Sequence, residues 1–264
     1  MGRLDSLFGV TRAEGRAALV GYLVAGHPTV DQSISLLTAM IDSGADLVEV
    51  GVPYSDPVMD GPTIQAAANT ALRGGFRLRD VFRVVEAVSS AGGRAVVMTY
   101  WNPVHRYGVD AFARDLAAAG GLGVITPDLI PDEADDWIAA SDDHGVDRIF
   151  LVAPSSTEER LASTARATTG FLYAAAVMGV TGTRDAVGPA AAGLVSRVRA
   201  HTSLPVGVGL GVRSGDQAAE VAGFADAVIV GSALVSRVAD GVDSVRALTA
   251  ELADGVRRPV VPQV

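Results

Sequence analysis

The chain has 264 residues, 49% hydrophobic and 19% charged, which is enough apolar mass for a full core and too little charge for a disordered chain. Its formal net charge of −9 works against nucleic-acid or anionic-membrane binding over most of the surface, and the absence of cysteine excludes disulfides, thiolate metal sites and cysteine nucleophiles. No apolar run reaches the length of a membrane span, and Arg3, Asp5, Arg12, Glu14 and Arg16 give the first residues a helical pattern in place of a signal-peptide core.

After this short N-terminal helix the chain alternates two kinds of segment. Apolar, β-rich runs occupy residues 18–25, 47–52, 95–100, 122–125, 148–152, 171–176, 206–210 and 227–230. They are largely apolar on both faces, as strands covered on both sides must be. Helical patterns fall between most of them, at 31–43, 78–91, 109–119, 133–144, 158–168, 189–200, 215–221 and 243–252, with a further run at 63–72. Eight strand–helix units without a Pro/Ser-rich linker predict an α/β chain forming one closed (β/α)8 TIM barrel. The length agrees with the roughly 250 residues usual for that fold. The whole of 1–264 reads as a single domain, with a frayed tail from about 257. The alternative is a doubly wound open sheet, which has fewer strands and a switch point. Gly44, Gly93, Gly120 and Gly145 follow helical stretches and read as left-handed helix caps.

Barrels of this kind place chemistry at the C-terminal strand ends and in the loops that follow. Glu49 lies in the otherwise apolar strand Leu47-Val48-Glu49-Val50-Gly51. Alternation puts it on one face with Leu47 and Gly51. Facing the interior, it would be desolvated, with a raised pKa suited to a general acid or base. The competing role is a structural carboxylate, paired with an arginine or held by backbone donors. The loop from Gly51 to Gln65 is long, carries three prolines, and holds Asp56 and Asp60, each a turn former or a functional acid. Residues 177–185 are rich in small and polar residues, which suits a mobile lid. Tyr173 lies in the strand before them. The glycines of 207–211 and the pair Gly231-Ser232 sit at the ends of strands seven and eight, where barrels often hold phosphate on backbone N–H groups. The four histidines (His27, His105, His144, His201) form no metal-binding pair, and no zinc-protease or nucleophile-elbow motif occurs.

At these residues the sequence resembles the α subunit of tryptophan synthase. The resemblance is nearly continuous from Glu49 through Gln65. It extends through Tyr100-Trp101-Asn102-Pro103, Pro127-Asp128-Leu129-Ile130-Pro131, Tyr173 with Gly179-Val180-Thr181-Gly182, and Gly231-Ser232-Ala233. It implies retro-aldol cleavage of indole-3-glycerol phosphate to indole and glyceraldehyde 3-phosphate. Glu49 would transfer the protons, and Asp60 would stabilise positive charge at the indole nitrogen. Thr181 would hold Asp60 under a closed lid. Tyr22, Met98, Tyr100 and Tyr173 would line the indole pocket; Gly182, Gly211, Gly231 and Ser232 would bind phosphate. The resemblance further implies no cofactor in this chain and an α2β2 assembly whose β subunit carries pyridoxal phosphate, with Pro53, Asp56, Asn102 and Pro131 near the contact. Two other readings keep the same chemistry or lose it: a stand-alone lyase releasing free indole, and a catalytically silent subunit that only activates a partner. Departures from the family's commoner pattern fall at His27, Met59, the stretch from Ala174 to Met178, and Leu210. The implied setting is cytoplasmic amino-acid biosynthesis.

Overall fold

The computed structural model describes residues 2–175, 189–209 and 211–258. In chain order the elements are α1 (Asp5–Ala13), β1 (Ala18–Val24), α2 (Val30–Asp42), β2 (Leu47–Gly51), α3 (Pro62–Arg73), α4 (Asp80–Ser90), β3 (Ala95–Met98), α5 (Trp101–Tyr107), α6 (Val109–Ala118) and β4 (Gly123–Ile125). They continue with α7 (Asp135–His144), β5 (Asp147–Ile149), β6 (Leu151–Val152), α8 (Glu158–Ala167), β7 (Leu172–Ala175), α9 (Pro189–Arg199), β8 (Val206–Gly209), α10 (Gly215–Ala222), β9 (Ala227–Val230), α11 (Ser232–Arg237) and α12 (Val242–Val256).

Every strand pairing is parallel, in the order β5-β4-β3-β2-β1-β9-β8-β7-β6. β5 and β6 are two halves of one strand, separated only by Phe150. The first half pairs with β4 and the second with β7. The ring of eight therefore closes at this strand, and the open-sheet alternative falls away. Alternation divides each strand between two packed layers. Ala18, Val20, Leu47, Val96, Ile125, Ile149, Phe171, Ala227 and Ile229 fill the interior, and Leu4, Leu7 and Phe8 plug it from the N-terminal end. Leu19, Leu23, Val48, Val50, Val97 and Val208 face outward into the helical ring. Burial contributes about 1.5–3 kcal/mol per large aliphatic side chain. Exposed ion pairs such as Arg83–Asp31 contribute about 0–1 kcal/mol, so the two apolar layers hold the barrel.

The N-terminal ends of the strands are tied by aspartates. Leu19 N–H donates to Asp46 at 2.9 Å, Leu4 N–H to Asp147 at 2.9 Å, and Val206 N–H to Asp226 at 2.9 Å. Helix starts follow local chemistry: Thr29, Thr157 and Ser214 each accept from a backbone N–H three residues on, and Pro62 opens α3.

Three details differ from the sequence reading. The left-handed residue after α4 is Gly92 (φ +82°), not Gly93, which packs tightly against Val88 and Ile41. Gly44, Gly120 and Gly145 do have positive φ. α5 and α11, of 7 and 6 residues, are too short to show a periodic pattern. Arg257 and Arg258, where fraying was expected to begin, are anchored. Arg257 donates to the carbonyls of Ala253 (2.8 Å) and Gly44 (3.1 Å), and Arg258 pairs with Asp216. Residues 259–264 lie outside the described residues.

Candidate active site

Glu49 sits on the inner wall of β2, 1% exposed. Its Oε1 has no hydrogen-bond partner. Neither alternative structural role is met among the described residues: no arginine pairs with it and no backbone donor caps it. Burial alone pushes its pKa up to about 8, so the carboxyl is largely protonated at neutral pH. Tyr22 is its partner in register on β1, and Tyr173 stands on β7. Two glycines make room for these phenols. A Cβ on Gly51 would lie 2.3 Å from the Tyr22 hydroxyl, and one on Gly209 would lie 2.4 Å from that of Tyr173. Burial raises the pKa of both phenols well above the usual value, with the Glu49 charge adding to it, so both stay protonated.

Asp60 lies on the loop between β2 and α3, over the same end of the barrel. Burial raises its pKa, opposed by a hydrogen bond donated by the Tyr100 hydroxyl. That hydroxyl accepts from Met59 N–H at 3.1 Å, fixing the loop beside β3. Gln65 Nε2 holds the Asp60 carbonyl at 2.8 Å. The Tyr54 ring packs on Tyr100 with centroids 5.3 Å apart, and the Tyr54 hydroxyl accepts from Asn102 Nδ2 at 3.0 Å. Tyr54 and Gln65 are supports that the sequence reading did not single out. Tyr54 lies within the loop and Gln65 in the first turns of α3, and only the folded contacts reveal the bonds. Met98, partly buried, ends β3 against the interior cluster.

The glycines divide by role. Gly207 and Gly209 lie on β8, where they leave interior space for Phe171 and Tyr173. They serve packing, and a phosphate role for the run from 207 narrows to Gly211. Gly211 has φ +69° and open space where a Cβ would stand. Gly231 precedes α11, and Ser232 is its first residue. Thr181 and Gly182 lie outside the described residues, as does Leu210. On the rim, Asp56 is exposed and accepts from the Ser55 hydroxyl at 2.5 Å, Asn102 is exposed, and Pro131 opens a short 3-10 turn. Pro53 is buried, so it shapes the loop from beneath, while Val58 (77% exposed) and Ile130 (37%) stand outward. Among the described residues no cluster of three or more His, Asp or Glu is arranged to hold a metal, and no helix is long and apolar enough to cross a membrane.

A closed parallel barrel, with an inner-wall acid that has no partner among the described residues and a second acid on the adjoining loop, defines the (β/α)8 class, in which chemistry sits at the C-terminal strand ends. Residues 8–258 match the family described as Tryptophan synthase alpha chain, and the chain belongs to that family, whose members are carbon–carbon lyases. It is 68% identical over 259 residues to the tryptophan synthase alpha chain of Nocardia farcinica, covering 98% of this chain and 97% of that one. A solved Mycobacterium tuberculosis tryptophan synthase chain is 64% identical with a TM-score of 0.95, covering 98% and 99% of the two chains. The Legionella pneumophila tryptophan synthase subunit alpha is only 31% identical yet has a TM-score of 0.88 over 97% and 98%. The barrel thus persists while most side chains change.

Proposed function

We propose that Glu49 and Asp60 are the catalytic pair for retro-aldol cleavage of indole-3-glycerol phosphate in this chain. The unpaired, buried, largely protonated Glu49 carboxyl is the observation that carries the reading. A structural acid at 1% exposure would need partners; a proton donor needs only its proton and a substrate atom to receive it. Glu49 gives its proton to the indole C3, placing positive charge on the ring nitrogen. Asp60 accepts a hydrogen bond from the ring N–H and stabilises that charge. The Glu49 carboxylate then takes the proton of the side-chain hydroxyl as the carbon–carbon bond breaks toward the ring, so Glu49 ends as it began. The products are indole and glyceraldehyde 3-phosphate. Tyr22, Met98, Tyr100 and Tyr173 supply the aromatic and apolar walls for the ring. The phosphate is held by Gly211, Gly231 and Ser232 with Gly182, and Thr181 meets Asp60 from the lid.

The chain acts as one barrel domain in the cytoplasm, as half of an α2β2 assembly. Its partner carries pyridoxal phosphate and consumes indole; the reaction written above uses only this chain's side chains. The rim around Asp56, Asn102 and Pro131, with Pro53 beneath, faces the β subunit. The test is indole release from indole-3-glycerol phosphate by the purified chain, with and without a cognate β subunit. Weak release that rises strongly on adding the partner is expected. High release unchanged by the partner would replace this reading with the stand-alone lyase, and none in either case would overturn the assigned chemistry.

A further inference from the structure

Glu49 must carry a full negative charge at one point in each turnover, inside a wall that offers it no cation among the described residues. Of the chain's five tyrosines, three have hydroxyls bonded to named partners: Tyr54 to Asn102, Tyr100 to Met59 and Tyr107 to Asp115. The hydroxyls of Tyr22 and Tyr173 make no hydrogen bond among the described residues. Tyr22 is the lateral neighbour of Glu49, since Tyr22↔Glu49 follows Val20↔Leu47 in register and the latter pair faces the barrel interior.

Two glycines set the direction of the Tyr22 ring. Its hydroxyl, Cε2 and Cζ fill the notch at Gly51, 2.3–2.5 Å from where a Cβ would stand. Its Cβ, Cγ and Cδ1 lie 3.5–3.8 Å from the corresponding point on Gly231. Gly51 is the next inward residue after Glu49 on the same strand, so the phenol packs on the inner face of β2 one inward position beyond Glu49.

We propose that the Tyr22 hydroxyl is the positioning group that receives the Glu49 carboxylate, donating a hydrogen bond to it once its proton has left for the substrate. The proposal rests on the catalytic role of Glu49 given above. No bond is made or broken at the tyrosine: its proton stays on the phenol oxygen throughout. The groups that face it are Glu49 from β2, Asp60 from the loop beyond, Tyr100 from the end of β3 and Tyr173 from β7. All of them, together with burial, favour the neutral phenol, so it remains a donor across the working pH range. Tyr22 stands in the field of both carboxylates, whereas Tyr173 feels Glu49 alone. A neutral donor there stabilises the charge that forms without neutralising Asp60, which a cation in the same place would do.

Tyr22→Phe keeps the ring and its packing and removes only the donor. Because a donor favours the ionised carboxylate, its loss raises the Glu49 pKa. The variant is expected to move the Glu49 midpoint, followed by isotope-edited infrared spectroscopy on the substrate-free chain, upward by about one unit. The basic limb of kcat/KM, measured with the β subunit present, should move up with it. kcat should fall about tenfold while KM changes less than about threefold. A ring that merely packs would leave both the midpoint and the limb where they are in the unmutated chain, and that result overturns the proposal. Glu49→Gln, run alongside, separates the two claims: substantial turnover from it removes Glu49 from the chemistry, whereas a dead Glu49→Gln with an unshifted Tyr22→Phe removes only the role of Tyr22.

Discussion

Two carboxylates lie buried on the inner wall of this barrel, one near each end, and they are treated in opposite ways. Asp147, 3% exposed at the start of β5, accepts from the backbone N–H of Leu4 at 2.9 Å, and Arg3 N–H and the Thr169 hydroxyl also act on it. Gly123 and Gly170 lie against it, each with a would-be Cβ 3.1 Å from its own. Glu49, 1% exposed on β2, has an oxygen with no partner. Burial raises the pKa of both, but the donors around Asp147 pull it back, whereas no described residue is hydrogen-bonded to Glu49 Oε1. The first acid latches the N-terminal plug into the barrel floor. The second is left unsatisfied among the described residues, toward the C-terminal ends of the strands. Burial alone therefore does not mark a reactive acid; burial without donors does.

The largest effect expected from this contrast is on turnover. Glu49→Gln should lose about a thousandfold or more in indole release, because the amide copies the shape and cannot deliver a proton. The same variant should weaken a pH effect on stability. The folded-state pKa of Glu49 lies above its unfolded value, so the wild-type chain loses stability as pH rises from 4.5 toward about 8. Chemical denaturation of Glu49→Gln across that window should show the decline reduced. Asp60→Asn should lower kcat about a hundredfold and raise KM much less; a change in KM alone would make Asp60 a loop anchor. Asp147→Ala should do the reverse of Glu49→Gln. It strands the N–H of Leu4 and should cost about 2–4 kcal/mol in urea unfolding, with kcat per folded molecule intact. Loss of kcat at full stability would erase the distinction between the two acids. The smallest effect is Tyr100→Phe, which frees Met59 N–H and Asp60; about a fivefold loss of kcat is expected, with a rise in the pH at which Asp60 titrates.

The eight-strand ring was legible in the sequence because strands buried on both faces must be continuously apolar, and the spacing between such runs fits a helix each time. Glu49 was legible for the same reason, as a charge in the middle of such a run, whereas Arg148 stands at the very start of its own. What the sequence could not show is the absence of partners. A linear string leaves any arginine of the chain open as a partner for Glu49, and only the fold rules one out among the described residues. The glycine run on β8 misled in part. Gly207 and Gly209 look like phosphate-loop residues in a linear string, but they sit within a strand whose inner face must accommodate Phe171 and Tyr173. Spacing alone does not reveal that demand, because it arises from the neighbouring strand β7 and from Phe171 just before it. The short helices α5 and α11 have under three turns each, too few for a hydrophobic repeat to register.

The measurement that bears most directly on the central contrast is the titration of the Glu49 carboxyl in the unmutated chain, by infrared spectroscopy with isotope-labelled glutamate and Glu49→Gln as the subtraction reference. A protonated-acid carbonyl band that persists at pH 7 and fades with a midpoint near 8 is expected. A carboxylate already ionised at pH 7, titrating near 4.5, would contradict it: Glu49 would then have a partner, and the barrel's two buried acids would be alike.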